Sequence, residues 1–290
     1  MLKEIVKFKA QDGIFLDGII SREEKGTNKL LIQIHGMTSN CFKIREKTIA
    51  CAVNKIGIDT LCFNNRGSEI IKYISNGNEK ELGGTAFEEI EDCYYDIVGA
   101  INYAKDLGYE EIYLQGHSLG STKIVYTYNK LKNENNKVLA NIKAIILLSL
   151  VDIPNFVKSN MKDSYLKLAE EKEKMNNIMD LMPLNTFMHP ISVKNFLRYA
   201  KYNQNIDFAR YNAKSDDFEI LNRIQVPLFM RWGNINEIIN QDAKELVIFM
   251  NNKIHNKNKD IGYIDGADHG YNEKEEILAE EIKSFLYKYI

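Results

Sequence analysis

The segment 116–120 reads Gly-His-Ser-Leu-Gly and matches the pattern G-x-S-x-G, in which the central serine, Ser118, can act as a nucleophile. An apolar, strand-like run at 112–114 precedes it, and a helix-compatible stretch at 121–130 follows it. A serine at a sharp strand-to-helix turn exposes its hydroxyl, and the start of a helix favours negative charge that develops there. The two glycines are needed because side chains would collide with the neighbouring strand and helix. We therefore predict a nucleophilic serine; an ordinary glycine-rich turn is the alternative.

A nucleophilic serine needs a base within hydrogen-bond reach. Ligands of open α/β sheets bind beyond the carboxyl ends of the strands, so the base should directly follow a strand. Of the five histidines, His269 follows a late predicted strand in the tight turn 266–270. His35 stands where a loop that holds the oxyanion should begin, and His117 should point to the opposite side of the turn from Ser118. We predict that His269 is the base; a loop histidine without a role is the alternative.

The chain resembles the α/β-hydrolase superfamily over essentially its whole length. The matching segments, in chain order, are His35-Gly36-Met37 after the third predicted strand, Asn65-Arg66-Gly67 after the fourth, the turn at Ser118, Gly233 after the seventh, and 266–269. The resemblance implies that Ser118 is the nucleophile and His269 the general base, with an oxyanion hole formed by the backbone N–H groups of Met37 and Leu119. It implies a hydrolase that cleaves a carboxylic ester or thioester of a small molecule.

The acid that should orient the histidine is where this sequence departs from the superfamily. Many members carry Asp three residues after the glycine that closes the seventh strand, and this chain has Asn236 there. Glu237 follows directly and is long enough to reach His269, whereas Asp152 follows the sixth predicted strand. We predict Glu237 as the acid, with Asp152, Asn236 or no acid as alternatives. Because Asp→Asn in a serine-protease triad lowers turnover about 10⁴-fold, Asn236 leaves open a non-catalytic protein that binds a small apolar ligand.

Strand and helix patterns alternate along the chain, which predicts one α/β domain over 1–290 with a mostly parallel sheet of about eight strands flanked by helices. The pattern predicts strands at 4–10, 15–21, 29–34, 60–63, 112–114, 142–150, 226–233 and 261–264, and helices at 42–55, 87–107, 121–130, 242–251 and 273–289. Between 152 and 223 the strands vanish, and Met and aromatic residues recur at helical spacing. Such a stretch suits an ordinary core, or a helical cap over an apolar or aromatic substrate.

Composition argues against several classes of protein. The formal net charge is −2, so neither a nucleic acid nor a membrane partner is expected. The N-terminus carries charges where a signal peptide needs an apolar run, and the four cysteines lack zinc or disulfide spacing, which favours a cytoplasmic protein. Phosphate-binding, dinucleotide-binding and H-E-x-x-H motifs are absent from the sequence. We expect a small-molecule substrate, no cofactor and no metal; the oligomeric state is not predicted.

Overall fold

A sheet of eight strands forms the centre of the protein. The computed structural model describes residues 2–201, 203, 205–212 and 218–290. Part of the predicted cap, at 202, 204 and 213–217, therefore lies outside the described residues. In the described part, the strands are β1 (Leu2–Lys9), β2 (Phe15–Arg22), β3 (Lys29–Ile34), β4 (Asp59–Asn64), β5 (Lys72–Ser75), β6 (Lys80–Gly83), β7 (Glu111–His117), β8 (Ile142–Leu148), β9 (Leu228–Gly233) and β10 (Lys259–Ile264).

The order of strands in the main sheet is β1-β2-β4-β3-β7-β8-β9-β10. β1, β2 and β4 pair antiparallel at one edge, and every pairing from β4 onward is parallel. Parallel strands carry their carboxyl ends to the same edge, so the loops after β3, β7, β8, β9 and β10 meet there. The prediction of about eight mostly parallel strands is confirmed.

Helices cover both faces of the sheet. The α-helices are α1 (Ile44–Asn54), α2 (Cys93–Asp106), α3 (Leu119–Asn133), α4 (Ile153–Asn160), α5 (Asp163–Lys174), α6 (Val193–Ala200), α7 (Glu219–Asn222), α8 (Ala243–Lys253) and α9 (Glu275–Leu286). Helices α2, α3 and α8 pack on one face in a core that includes Ile32, whereas α1 and α9 pack on the other, which includes Leu31. Successive side chains of a strand point to opposite faces of the sheet, so β3 contributes side chains to both hydrophobic cores.

The segment between β8 and β9 supplies a third apolar cluster. Helices α4, α5 and α6 lie in it, and their buried residues pack with Leu119 at the start of α3. Met37, in the loop after β3, packs against the same cluster. The segment thus lies against the carboxyl-end edge of the sheet, next to Ser118. Across the described part of the chain, we find no helix with the length and hydrophobicity that a bilayer span requires.

Two elements between β4 and β7 differ from the prediction. The residues 72–83 form the hairpin β5–β6, which the sequence analysis missed. The helix predicted from 87 begins later, with a 3-10 turn at Ile90–Asp92 before α2. The side chain of Glu88 is buried and bonds Lys123 at 2.6 Å, and the amide of Thr38 donates to the Thr85 hydroxyl at 2.9 Å. These tertiary contacts hold the residues before Ile90 in a loop that braces the segment after β3.

Candidate active site

Ser118 lies at a strained turn between β7 and α3. Its backbone has φ 54° and ψ −123°, and its amide donates to the carbonyl of Leu148 at 2.8 Å. A Cβ at Gly116 would lie 2.4 Å from the carbonyl oxygen of Gly120, and one at Gly120 would lie 2.3 Å from that of Ile34. Both glycines are therefore required by the close approach of strand and helix. The serine is held at the helix N-terminus, where it lines a mostly apolar cavity of about 470 Å³.

The loop after β10 brings His269 to the same cavity. The imidazole Nδ1 forms a short hydrogen bond with Oε1 of Glu237, which lies in the loop after β9. A Cβ at Gly233 would lie 2.3 Å from the carbonyl oxygen of Ala267, so the loops after β9 and β10 are in backbone contact. Because a carboxylate only accepts, Nδ1 carries the proton of this bond, so the neutral ring has its lone pair at Nε2. A lone pair at Nε2 is what a general base needs.

Glu237 is a buried carboxylate with its hydrogen-bonding capacity filled. Its side chain is 2% exposed. Besides His269, Oε1 accepts from the amide of Ile238 at 2.9 Å, while Oε2 accepts from the Ser149 hydroxyl at 2.7 Å and the amide of Gly233 at 2.9 Å. Burial by itself raises the pKa of this carboxyl, but the bonds and charge of His269, Ser149 and Gly233 outweigh it and the net pKa is lowered. Glu237 is ionised at neutral pH.

The two other candidate acids lie elsewhere. Asp152 caps α4: its carboxylate accepts from the amides of Asn155 at 3.2 Å and Asn212 at 2.9 Å, and burial raises its pKa. Asn236 is exposed at a turn with φ 50°. Among the described contacts, neither side chain bonds His269. The structure brings together His269 and Glu237 and leaves Asp152 and Asn236 apart from them.

The loop after β3 supplies the other wall next to the serine. Gly36, Met37 and Leu119 line the cavity with Ser118. A Cβ at Gly36 would lie 2.9 Å from the Ser118 Cβ, so this backbone passes directly beside Ser118. Within the described residues, the amides of Met37 and Leu119 have no acceptor in the protein. Both amides are thus available to a ligand oxygen.

His117 was predicted to point away from the site, and this is wrong. Its ring lies 4.9 Å from that of His269, and Nε2 donates to the carbonyl oxygen of His269 at 2.7 Å. Arg45, at the start of α1, donates from Nη1 to the next carbonyl, that of Gly270, at 3.1 Å. Burial and the nearby charge of Arg45 hold the pKa of His117 well below its ordinary value, so the ring stays neutral. Two side chains therefore fix consecutive carbonyls beside the imidazole.

Sequence reasoning missed the supports of the site: Arg45, Ser149 and Tyr271. The Tyr271 hydroxyl donates to the carbonyl of Arg231 at 2.7 Å and lies 3.0 Å from the Ser149 hydroxyl. Ser149 follows β8 directly, which was an available signal because the carboxyl ends of the strands meet at this edge. Arg45 and Tyr271 stand in no recognisable pattern. In the described part of the chain, no cluster of His, Cys, Asp and Glu has the arrangement of a metal site.

The cavity beyond the serine is mostly apolar. Its walls from the segment between β8 and β9 are Ile153, Phe156, Val157, Phe187, Met188 and Tyr199. The rings of Phe156 and Phe187 meet edge to face at 6.1 Å. Polar side chains also line the cavity, including Lys43 before α1 and Asn272 before α9. The cavity can therefore take an apolar group against the helical segment and also offers polar contacts.

Solved structures of similar fold are esterases and serine hydrolases. Est1E from Butyrivibrio proteoclasticus, with ferulic acid bound, superposes with a TM-score of 0.69 at 20% identity over 98% of both chains. The esterase domain of a Rhodothermus marinus protein gives 0.62 at 14% identity, covering 100% of this chain and 99% of that one. Mouse alpha/beta hydrolase domain-containing protein 10 gives 0.62 at 14% identity over 98% and 99%. The fold is therefore the α/β-hydrolase fold, as predicted.

Sequence comparison gives a second, independent match. A family model described as "Protein of unknown function (DUF1749)" matches residues 84–287, which is more than half of the chain. No curated protein matches the sequence. The matched range includes the turn at Ser118, the segment between β8 and β9, and the loops that carry Glu237 and His269.

Proposed function

Because this chain belongs to the DUF1749 family, whose function is unknown, we propose its activity from its own residues: a serine hydrolase that cleaves a carboxylic ester or thioester of an apolar or aromatic small molecule. The observation that carries the proposal is the bond from His269 Nδ1 to the buried carboxylate of Glu237, on a cavity that Ser118 also lines. A serine and an imidazole whose Nδ1–H is held by a carboxylate, placed on one cavity, are the groups that activate a hydroxyl.

The proposed reaction has two halves. The Ser118 hydroxyl oxygen attacks the substrate carbonyl while His269 Nε2 takes its proton, and the oxyanion is bound by the amides of Met37 and Leu119. The intermediate collapses to an acyl-enzyme, and His269 returns the proton to the departing alcohol or thiol. Water then attacks the acyl-enzyme with His269 as base, which releases the acid and restores the serine. Glu237 stays ionised and stabilises the imidazolium that forms twice.

The apolar walls support an apolar or aromatic substrate group. Phe156, Phe187 and Met188 line the cavity together with aliphatic side chains. Aromatic surfaces and the adaptable thioether of Met pack well against rings and chains of different shape. Est1E, which shares the fold, has been solved with ferulic acid, an aromatic acid, bound.

We also propose that the segment 152–223 acts as a cap over this cavity. Its helices α4 and α6 contribute Phe156 and Tyr199 to the cavity wall, and its apolar cluster packs on Leu119 and Met37. A cap of this kind shields the apolar group of the substrate from bulk water and selects the substrate by shape.

The first experiment is covalent labelling with a fluorophosphonate probe, followed by a panel of p-nitrophenyl esters of rising chain length and with aromatic acyl groups. We expect stoichiometric labelling at Ser118 and turnover that is abolished in Ser118→Ala and His269→Ala. The double variant should be little worse than either single one, because the residues act as a unit. Ser284→Ala, at an exposed serine of α9, is the matched control and should keep its labelling.

Absence of labelling with a folded protein would contradict catalysis. It would favour a non-catalytic protein that binds a small apolar ligand in the same cavity. The exposed side chain of Asn236, which motivated that alternative, takes no part in the contacts of His269 among the described residues.

A further inference from the structure

Tyr199 differs from the other buried tyrosines in its hydrogen bonding. Seven tyrosines of the described chain are 5% exposed or less. Six have a partner: Tyr94 with Glu134, Tyr109 with Asp59, Tyr113 with Glu111, Tyr128 with Gln225, Tyr211 with Leu150 and Tyr271 with Arg231. The Tyr199 hydroxyl has none among the residues described, although the side chain is 4% exposed. Tyrosine hydroxyls of buried side chains usually find a protein partner, so the missing partner of Tyr199 needs an explanation.

The position of Tyr199 gives that explanation. It lies on α6, in the segment between β8 and β9, and lines the cavity that contains Ser118. Its ring is parallel to that of Phe187, with centroids 6.2 Å apart. The hydroxyl oxygen is not among the polar atoms that the described structure seals from solvent. A hydroxyl that has no partner in the described protein and is not sealed from solvent thus belongs to a side chain of the apolar cavity wall.

The chemistry of the hydroxyl limits what it can bind. Burial, and then the nearby carboxylate of Glu88, raise the pKa of Tyr199 well above its ordinary value, so the hydroxyl stays protonated and can donate. The apolar walls beside Tyr199, which include Phe187, disfavour a charged partner, because a charge would lose its hydration there. The scissile carbonyl is taken by Ser118 and the amides of Met37 and Leu119 in the proposed reaction. The partner of Tyr199 is therefore a second, neutral oxygen of the substrate.

We propose that Tyr199 is a specificity-determining residue that hydrogen-bonds a neutral oxygen, such as a phenolic hydroxyl or an ether, on the apolar group of the substrate. This inference rests on the proposed ester hydrolysis and narrows it to oxygen-bearing apolar or aromatic groups. A site built around a hydrogen bond rejects an analogue that lacks the oxygen, because the hydroxyl then loses water without gaining a partner.

The test compares p-nitrophenyl phenylpropionate with its ortho-, meta- and para-hydroxyl derivatives on wild type, Tyr199→Phe and Tyr165→Phe. Tyr165 is the matched control: it packs against the same cluster and is not among the described cavity-lining residues. We expect wild type to prefer at least one hydroxylated isomer by about three- to tenfold in kcat/KM, which is the range for one neutral hydrogen bond. The preference should disappear in Tyr199→Phe, with a kcat/KM ratio of about one, and it should persist in Tyr165→Phe.

A binding measurement separates this inference from the proposed activity. The dissociation constants of phenylpropionate and the three hydroxyphenylpropionates are measured with Ser118→Ala, with and without Tyr199→Phe. A preference that depends on the Tyr199 hydroxyl supports the inference even if no ester is hydrolysed. Equal loss of kcat/KM for all esters in Tyr199→Phe, or no preference for any isomer in wild type, would overturn it.

Discussion

Replacing Glu237 by Gln keeps the shape of the acid and changes its charge and hydrogen bonding. Each carboxylate oxygen accepts two hydrogen bonds, Oε1 from His269 and the Ile238 amide and Oε2 from Ser149 and the Gly233 amide. Whether the glutamine NH₂ group takes the position of Oε1 or of Oε2, it faces a backbone N–H, and two donors cannot bond each other. With nitrogen in the Oε2 place, the bond to His269 survives and the Ser149 hydroxyl rotates to accept. The Gly233 amide is then left as a buried donor without a partner.

These contacts determine how far Glu237→Gln lowers the stability of the fold and how far it lowers kcat. The unsatisfied amide should lower the free energy of unfolding by about 1–3 kcal/mol. The lost carboxylate no longer stabilises the imidazolium; two charges about 4 Å apart at an effective dielectric constant of about 20 interact by about 4 kcal/mol, which corresponds to about 10³-fold in kcat. KM should change little, because Glu237 faces His269 and its supporting loops.

The assay is kcat and KM on a p-nitrophenyl ester together with urea unfolding. Asp152→Asn is the matched control, since it alters another buried carboxylate, one that caps α4 and does not bond His269 among the described contacts. Its kcat should stay near the wild-type value. A wild-type kcat in Glu237→Gln would refute the assignment of Glu237 as the acid. A large loss of kcat confined to Asp152→Asn would assign that role to Asp152.

Three further predictions concern residues around the nucleophile. Gly36→Ala should lower kcat by about 10²-fold, because the new Cβ lies 2.9 Å from the Ser118 Cβ and displaces the loop; unchanged kcat in a folded protein would contradict this. His117→Leu should lower kcat about tenfold with KM unchanged through loss of its bond to the His269 carbonyl, and His117→Gln, which retains a donor, should recover most of it. Burial holds the pKa of His35 at about 3, so the unfolded chain binds the extra proton below about pH 6.5 and stability falls by about 1.4 kcal/mol per pH unit towards pH 3. Urea unfolding at several pH values should show a flatter profile in His35→Asn, and an unchanged profile would show that His35 titrates normally.

Ser118 and His269 could be identified from the sequence because their neighbours define their positions. The two glycines around Ser118 and the flanking strand and helix patterns leave little choice of turn. His269 follows the last strand, so the order of the strands places it at the same edge. Both residues line one cavity in the structure, and their catalytic roles stay predictions until the labelling experiment is done.

The sequence favoured Glu237 as the acid but could not exclude Asp152, because both residues follow strands whose carboxyl ends lie at that edge. Glu237 is brought to His269 by the backbone contact of Gly233 with Ala267, and this contact depends on how β9 and β10 pair. The direction of His117 depends on the same packing. The hairpin β5–β6 was missed since its strands have four residues each and alternate poorly between apolar and polar.

The bonds that build the site join parts of the chain that are far apart in sequence. Ser149 bonds Glu237 across 88 positions, His117 bonds the His269 carbonyl across 152, and Arg45 bonds Gly270 across 225. Each such contact closes a long loop of the chain, which costs conformational entropy. During synthesis the N-terminal part emerges first, so a nascent chain that already holds Ser118 still lacks His269 and Glu237, its proposed base and acid. In the proposed mechanism the hydroxyl therefore stays unactivated until the last strand has joined the sheet.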